Sequence, residues 1–542
     1  MNLPEPSLYL RQWKADRHLN YQIEKVDEYL KELDEHKGQH RAPVLFFNAS
    51  TRIHRLSLNG AYSLLTSWAL RDAGIPVRHI VCQRGMQQCV LGTRQDRLDS
   101  PPPCTRCIRL SQRLFPQDLT IPLHFQQETV EKIGSRLQNL TFPELAAWEF
   151  QNIPLGELCL PGLRWALRSH QIPDTQAIRQ LIRQYILSAY SLYTNFEGIV
   201  DSQKPRALVV FNGIFYPEAI ARYVGQTRGI PVITHEVGLR PFSTFFSNKD
   251  ATFRQVDLDK DASLTSSENE RLDQYLSERF HGDFTMAGIR FWPNMVDLPN
   301  WLLERMKEFG QTVLVFTNVV FDTSQIHANT LFSNMFEWLE MLKPIILSHP
   351  ETLFIIRAHP DEERPGKRSQ ESVKDWIVNQ GLLEFENVVF FEPGDPVSSY
   401  ELINHSKFIL VYNSSIGLEA SILKVPVLCA GRARFTQIPT VFFPESRKKY
   451  EKELVGFLAA PAIEIPLSFR ENARSFLYQE YFSASLDLSE FLQPDDSLQG
   501  MVTFSGFSPD RLRSSRPLEV IRDGILHGMP FLFGSDVEAE DV

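Results

Sequence analysis

The chain has 542 residues, more than a single hydrophobic core serves well, so two domains are expected. Hydrophobic residues make up 43% and charged residues 23%, a globular mix, and a net charge of -10 argues against a nucleic-acid protein, which needs a basic face. No run approaches the roughly 20 apolar residues that span a bilayer, and the N-terminal stretch lacks the apolar segment of a signal peptide. The expectation is therefore a cytoplasmic protein, at most peripheral to the inner face of a membrane, whose six cysteines sit in a reducing compartment.

In chain order, residues 9–36 alternate charged and apolar side chains at helical spacing and predict one long, mostly exposed helix. The run Val44 to Phe47 predicts a buried parallel strand. A polar loop over 48–59, a helix over 61–72 ended by Gly74, and a strand over 77–82 complete a βαβ unit. Residues 83–165 lack a clear period and contain three consecutive prolines at 101–103. Helical spacing resumes over 177–193, and a strand at 207–211, a helix at 217–227 and a strand at 231–234 form a second βαβ unit. The polar sequence His235-Glu236-Val237-Gly238 then predicts a loop at a strand end. Residues 250–300, rich in Asp, Ser and Glu, predict an insertion or linker.

The second half is more regular. Strands are expected at 312–316, 353–357, 388–391, 408–411 and 425–428, with helices at 332–347, 370–380, 398–405 and 416–423 between them. Such alternation predicts a doubly wound parallel sheet with its ligand crevice at the strand carboxyl ends, where the loops at 317–322, 358–363, 392–396 and 412–415 should converge. The last 50 or so residues are irregular, ending in an acidic stretch at 536–542 that is expected to be disordered. The implied organisation is an N-terminal helix over 1–40, a first α/β domain with insertions over 41–300, a second α/β domain over 301–500 and a tail over 501–542.

Four residue groups are candidates for chemistry. In Tyr412-Asn413-Ser414-Ser415-Ile416-Gly417-Leu418-Glu419 a buried strand runs through small polar residues into a helix. Free N–H groups of a first helical turn hold anions, and Glu419, one turn in, is placed to accept ribose hydroxyls. The alternative is an ordinary helix cap. In Ile356-Arg357-Ala358-His359-Pro360, Arg357 and His359 lie two apart on a strand end and so point the same way, suited to one diphosphate. His235 and Glu236 are candidate acid/base groups, with a polar loop as the alternative. Cys82, Cys89, Cys104 and Cys107 are spaced for a structural zinc site, although the first pair is wider than in standard ribbons and four unrelated thiols are the alternative. No Gly-x-x-x-x-Gly-Lys or Gly-x-Gly-x-x-Gly occurs, which disfavours ATPase and dinucleotide readings, and Asp259-Lys260-Asp261 does not follow a strong strand.

Arg357-Ala358-His359-Pro360, Asn413-Ser414-Ser415-Ile416-Gly417-Leu418-Glu419-Ala420 and Val425-Pro426-Val427 resemble the two-Rossmann-domain (GT-B) glycosyltransferases, and more narrowly the capsule polysaccharide biosynthesis group that includes the Kdo transferases. The resemblance covers about residues 310–435, and Arg357 stands where that group tends to have Lys. It implies an α/β protein of two Rossmann-like doubly wound domains facing a central cleft. It also implies metal-independent transfer of a sugar from a nucleotide-sugar donor to a glycan or lipid-linked acceptor, with no catalytic cofactor, in surface polysaccharide synthesis. On that reading His235 or Glu236 serves catalysis, while Arg357, His359, Asn413, Ser414, Ser415 and Glu419 bind the donor. The rival readings are a nucleotide-sugar 2-epimerase on the same fold and a non-catalytic polysaccharide assembly protein.

Overall fold

The computed structural model describes residues 6–36, 41–49, 55–255, 263–280, 296–364 and 368–533. Twelve of its strands carry the sheets that position the site. They are β1 (Val44–Asn48), β2 (Val77–Cys82), β3 (Thr120–Leu123), β4 (Ala207–Phe211), β5 (Val232–Val237), β6 (Ser243–Ser247), β7 (Gln311–Phe316), β8 (Thr352–Arg357), β9 (Val388–Phe391), β10 (Phe408–Val411), β11 (Val427–Cys429) and β12 (Leu486–Asp487). The chain forms two compact units. The first comprises residues 1–167, 172–254 and 481–542, and the second residues 168–171 and 255–480.

The first unit has a seven-stranded sheet in the order β12-β6-β5-β4-β1-β2-β3. From β5 to β3 all pairings are parallel, while β6 runs antiparallel to both β5 and β12. Counted from β1, the parallel strands stand in spatial order 3-2-1-4-5, a doubly wound half. The second unit repeats this order in a five-stranded parallel sheet, β9-β8-β7-β10-β11. The α/β, doubly wound fold class expected from the alternating pattern is therefore what both units show. The strand interiors are buried, as a parallel sheet covered by helices on both faces requires.

The departures from expectation have local causes. Strand β3 is short and its register partner β2 is already apolar, so Thr120–Leu123 carries little pattern of its own. The N-terminal helix, Pro6–His36, buries Leu19, Ile23, Val26 and Leu30 in the core of the first unit, so one face is packed rather than exposed. The polar segment after residue 250 is more than a linker: it contains the helices Ser266–Phe280 and Asn300–Glu308. Residues 481–533 are not an irregular tail. Strand β12 extends the first sheet, and Arg516–His527 packs on the helix Leu58–Asp72. Part of the polar loop at 50–54, the pair Asp259 and Asp261, and the acidic stretch at 536–542 lie outside the described residues.

Candidate functional site

In the second unit the strand order reverses between β7 and β10, and ligands of such sheets bind outside the carboxyl ends at that point. The loops leaving β7 and β10 meet there. The Asn413 backbone N–H donates to Asn318 Oδ1 at 3.3 Å, and Asn413 Nδ2 donates to Ser324 Oγ at 3.2 Å. Gln325 Nε2 donates to Asn413 Oδ1 at 3.4 Å, and Asp322 Oδ1 accepts from the Ser324 hydroxyl at 2.7 Å and its N–H at 3.0 Å. Asn413 is thus the hub of a polar cluster built from these two loops. Ser414 and Ser415 lie beside it, partly exposed. The helix that follows, Ile416–Ile422, is only seven residues long, and Ser415 caps it without a side-chain hydrogen bond. A helix this short offers a weaker dipole than the sequence reading assumed.

Arg357 closes β8, beside β7, and is 4% exposed. Its Nη2 donates to the Asp395 carbonyl at 3.1 Å, and burial, against the pull of Asp395, lowers its pKa to about 10. His359 is partly exposed. Its Nδ1 accepts the Asp361 backbone N–H at 3.1 Å, which assigns the ring proton to Nε2 and makes that atom a donor. The neighbouring Glu362 is buried by the same turn; burial raises its carboxyl to about 8, although the Val373 N–H donates to it at 3.1 Å.

Glu419 is placed differently from the expectation. Its Oε1 accepts from Arg279 Nε at 3.0 Å and Nη2 at 2.5 Å, and its Oε2 accepts the Tyr400 hydroxyl at 2.6 Å. All three side chains are buried. Burial works against the Arg279 cation, but Glu419, then Tyr275 and Tyr400, outweigh it and hold its pKa well above the usual value. The Glu419 carboxylate is therefore committed to an internal ion pair instead of a ribose. Its partner comes from the polar segment after residue 250, 140 positions away, where no local signal tied Arg279 to Glu419.

His235 and Glu236 are not in a loop. Strand β5 continues through both, because the unrecognised β6 pairs with it: His235 stands opposite Phe246 and Glu236 opposite Phe245. The turn closes at Gly238, where a Cβ would come within 2.2 Å of Ser243 Oγ. Successive strand residues face opposite sides. His235 is 2% exposed, stacks on Phe246 at a ring separation of 5.2 Å, and its Nδ1 has no hydrogen-bond partner among the described residues. It is a core side chain and not a general base. Glu236 is partly exposed, and its Oε1 accepts from Asn212 Nδ2 at 2.6 Å.

Burial lowers the pKa of His235, and likewise of His79, to about 3. The unfolded chain binds protons at these sites from about pH 6.5 downward and the folded chain does not, so stability is full above that pH and falls toward pH 3. In the middle of that window each contributes a slope on the order of 1.4 kcal/mol per pH unit. Denaturant titrations of the His235→Leu variant between pH 7 and 5 should show a slope smaller by about that amount. An unchanged slope would contradict the buried neutral imidazole.

The four expected cysteine ligands do come together. Cys82 ends β2, Cys104 opens the helix Cys104–Leu114 after the proline run, Cys107 lies one turn in, and all four line one cavity of the first unit. Among the described residues, however, no group of three or more His, Cys, Asp or Glu is placed to hold a metal ion, so the geometry does not form the tetrahedral zinc site expected from the spacing.

Residues 302–439 match the family model "Capsule polysaccharide biosynthesis protein". No curated protein sequence matches the chain. Among solved structures, the Thermosulfurimonas dismutans KpsC beta Kdo 2,4 transferase aligns at 12% identity and a TM-score of 0.33, covering 51% of this chain and 80% of that one. The beta Kdo 2,7 transferase of the same protein aligns at 16% identity and a TM-score of 0.29, over 53% and 81%. The Neisseria meningitidis UDP-GlcNAc 2-epimerase bound to UDP-GlcNAc aligns at 11% identity and a TM-score of 0.25, over 80% and 94%. Alignments this loose bear no weight for activity. Among the described residues no helix is long and apolar enough to cross a membrane. The matched segment contains both the Asn413 cluster and the Arg357–His359 strand end.

Proposed function

We propose that the protein is a glycosyltransferase that takes a nucleotide-activated sugar and serves surface or capsular polysaccharide synthesis. The observation that carries this reading is the placement of Asn413, Arg357 and His359 at the carboxyl ends of β10 and β8, the strands on either side of β7, within the capsule-type segment. Two N–H donors of different strength, a guanidinium and an imidazole Nε2–H, suit the phosphates of the donor. They take up the negative charge that leaves with the nucleotide, the main electrostatic task of such a transfer, without a metal ion. Asn413, Ser414 and Ser415 orient the nucleotide, and Glu419 acts through the fold alone. Of the pair on β5, Glu236 is the group that accepts the proton of the acceptor hydroxyl, since it is the one that solvent reaches. The acceptor is a glycan or a lipid-linked sugar, met in the cytoplasm.

The test is calorimetric titration with UDP, GDP, CDP and CMP, followed by the variants. Arg357→Ala should weaken the nucleotide that binds by roughly 2–5 kcal/mol, because it strips a buried charge from phosphate. Equal affinity in Arg357→Ala and Asn413→Ala would place the nucleotide elsewhere and remove the reading's support. Glu236→Gln should abolish transfer in single-turnover assays while nucleotide affinity holds. Release of an isomerised nucleotide sugar, with no acceptor needed, would make the enzyme an epimerase instead.

A further inference from the structure

The helix Pro6–His36 is packed on one side only, and its other side changes character along its length. Leu19, Ile23, Val26 and Leu30 fill the core of the first unit. At the helical period, the opposite face carries Leu10, Trp13, Lys14, Arg17 and Tyr21, all exposed. Farther along, the same face carries Glu24, Lys25 and Glu28. That second stretch mixes charges of both signs and is an ordinary solvated face. The first stretch is different. Leu10, Trp13 and Tyr21 leave 60%, 54% and 59% of their surfaces open. Large apolar side chains exposed singly are normal on a protein surface. Three on one helical stripe, interleaved with cations, call for a partner.

The charges narrow that partner. Arg11, Lys14 and Arg17 are exposed, and the Arg17 guanidinium lies 4.8 Å from the centroid of the Trp13 ring. The single carboxylate between residues 10 and 23 is Asp16, and it is taken by Arg55 at 3.4 Å and Arg113 at 3.3 Å. Arg113 Nε also donates to Asn20 Oδ1 at 3.0 Å, which seats the helix Cys104–Leu114 alongside. That helix has no acidic residue, and Arg106, Arg109 and Arg113 share one face of it. Arg106 and Arg109 are exposed, so the positive surface continues from Arg113 along this second helix. It does so on a chain whose net charge is -10. Apolar and aromatic side chains set among cations are the composition of a helix that lies in the plane of a bilayer. The apolar groups enter the boundary between headgroups and acyl chains, Trp settles at that level, and Arg and Lys meet lipid phosphate. A nucleic acid would engage the cations but offers no apolar layer for Leu10. From this we infer that the outward face of residues 10–21, continued by Arg106 and Arg109, docks the first unit on a membrane surface rich in anionic phospholipid. This surface includes none of the residues placed at the nucleotide site.

The test is flotation of the full chain with vesicles of phosphatidylcholine alone, or with about one third phosphatidylglycerol, at about 0.15 M salt. Binding to the mixed vesicles is expected, with binding to phosphatidylcholine alone weaker by about tenfold or more. Replacing three cations together, Arg11→Gln, Lys14→Gln and Arg17→Gln, should weaken binding on the order of a hundredfold, at about fivefold for each. Leu10→Ser with Trp13→Ser should weaken it about tenfold or more. Leu467→Ser, at an exposed apolar side chain of the second unit, should bind as the unaltered chain does. The altered side chains face solvent, so the variants should melt with the unaltered chain. If the double serine variant melts lower, the triple glutamine variant decides. An unaltered chain that floats with neither vesicle, triple-variant binding equal to that of the unaltered chain, or binding to a duplex DNA oligonucleotide in place of vesicles overturns the inference.

Discussion

A chain ending at Glu480 should fail to form the first unit. Residues 481–533 supply β12 and the apolar side chains Leu486, Leu488, Phe491, Phe504, Ile521 and Ile525 to the same core as Leu19 and Val26 of the N-terminal helix. Each is at most 6% exposed. At about 1.5–3 kcal/mol per buried large apolar side chain, losing six removes on the order of 10 kcal/mol, comparable with the whole stability of a domain at about 5–15 kcal/mol. Limited proteolysis with mass readout should show the first unit cut throughout, and differential scanning calorimetry should lose its transition. A truncated chain that melts as the full one does would mean that the returning segment only decorates the surface.

The second large effect concerns Arg279 and Glu419. Either alanine variant leaves one charge buried and unpaired, which costs about 3–5 kcal/mol. Urea denaturation should report that loss in Glu419→Ala and in Arg279→Ala alike. The double variant Arg279→Met with Glu419→Leu should be far milder than the sum, because a well-packed apolar pair avoids desolvating charge. Nucleotide affinity, measured below the new melting temperatures, should change little in any of the three. If Glu419→Ala instead keeps wild-type stability and loses nucleotide, the carboxylate leaves Arg279 to reach the ligand and the ion pair is not its resting place.

Some site residues were readable from their neighbours. Arg357 and His359 sit two apart at the end of an unbroken apolar run, so both the strand and their placement at its end follow from local pattern. Asn413 follows another such run. Its partners Asn318, Ser324 and Gln325 were not readable, since they come from the β7 loop and become partners only through the sheet order. His235 and Glu236 misled because polar residues at a strand end read as a loop. Only the pairing with β6 shows that the strand goes on.

The sequence by itself determined the α/β class, the alternating strands and helices of the second half, and the strand ends that carry Arg357, His359 and Asn413. Those features depend on the period of apolar residues over a few turns or a single strand, which is a local property. Tertiary structure decided the rest. It returned residues 481–533 to the first unit, buried His235 against Phe246, tied Glu419 to Arg279 across 140 positions, and gathered four thiols around one cavity. Each of these depends on which distant surfaces exclude water together, and a buried charge or imidazole is settled by the partner it meets there, not by its neighbours in the chain.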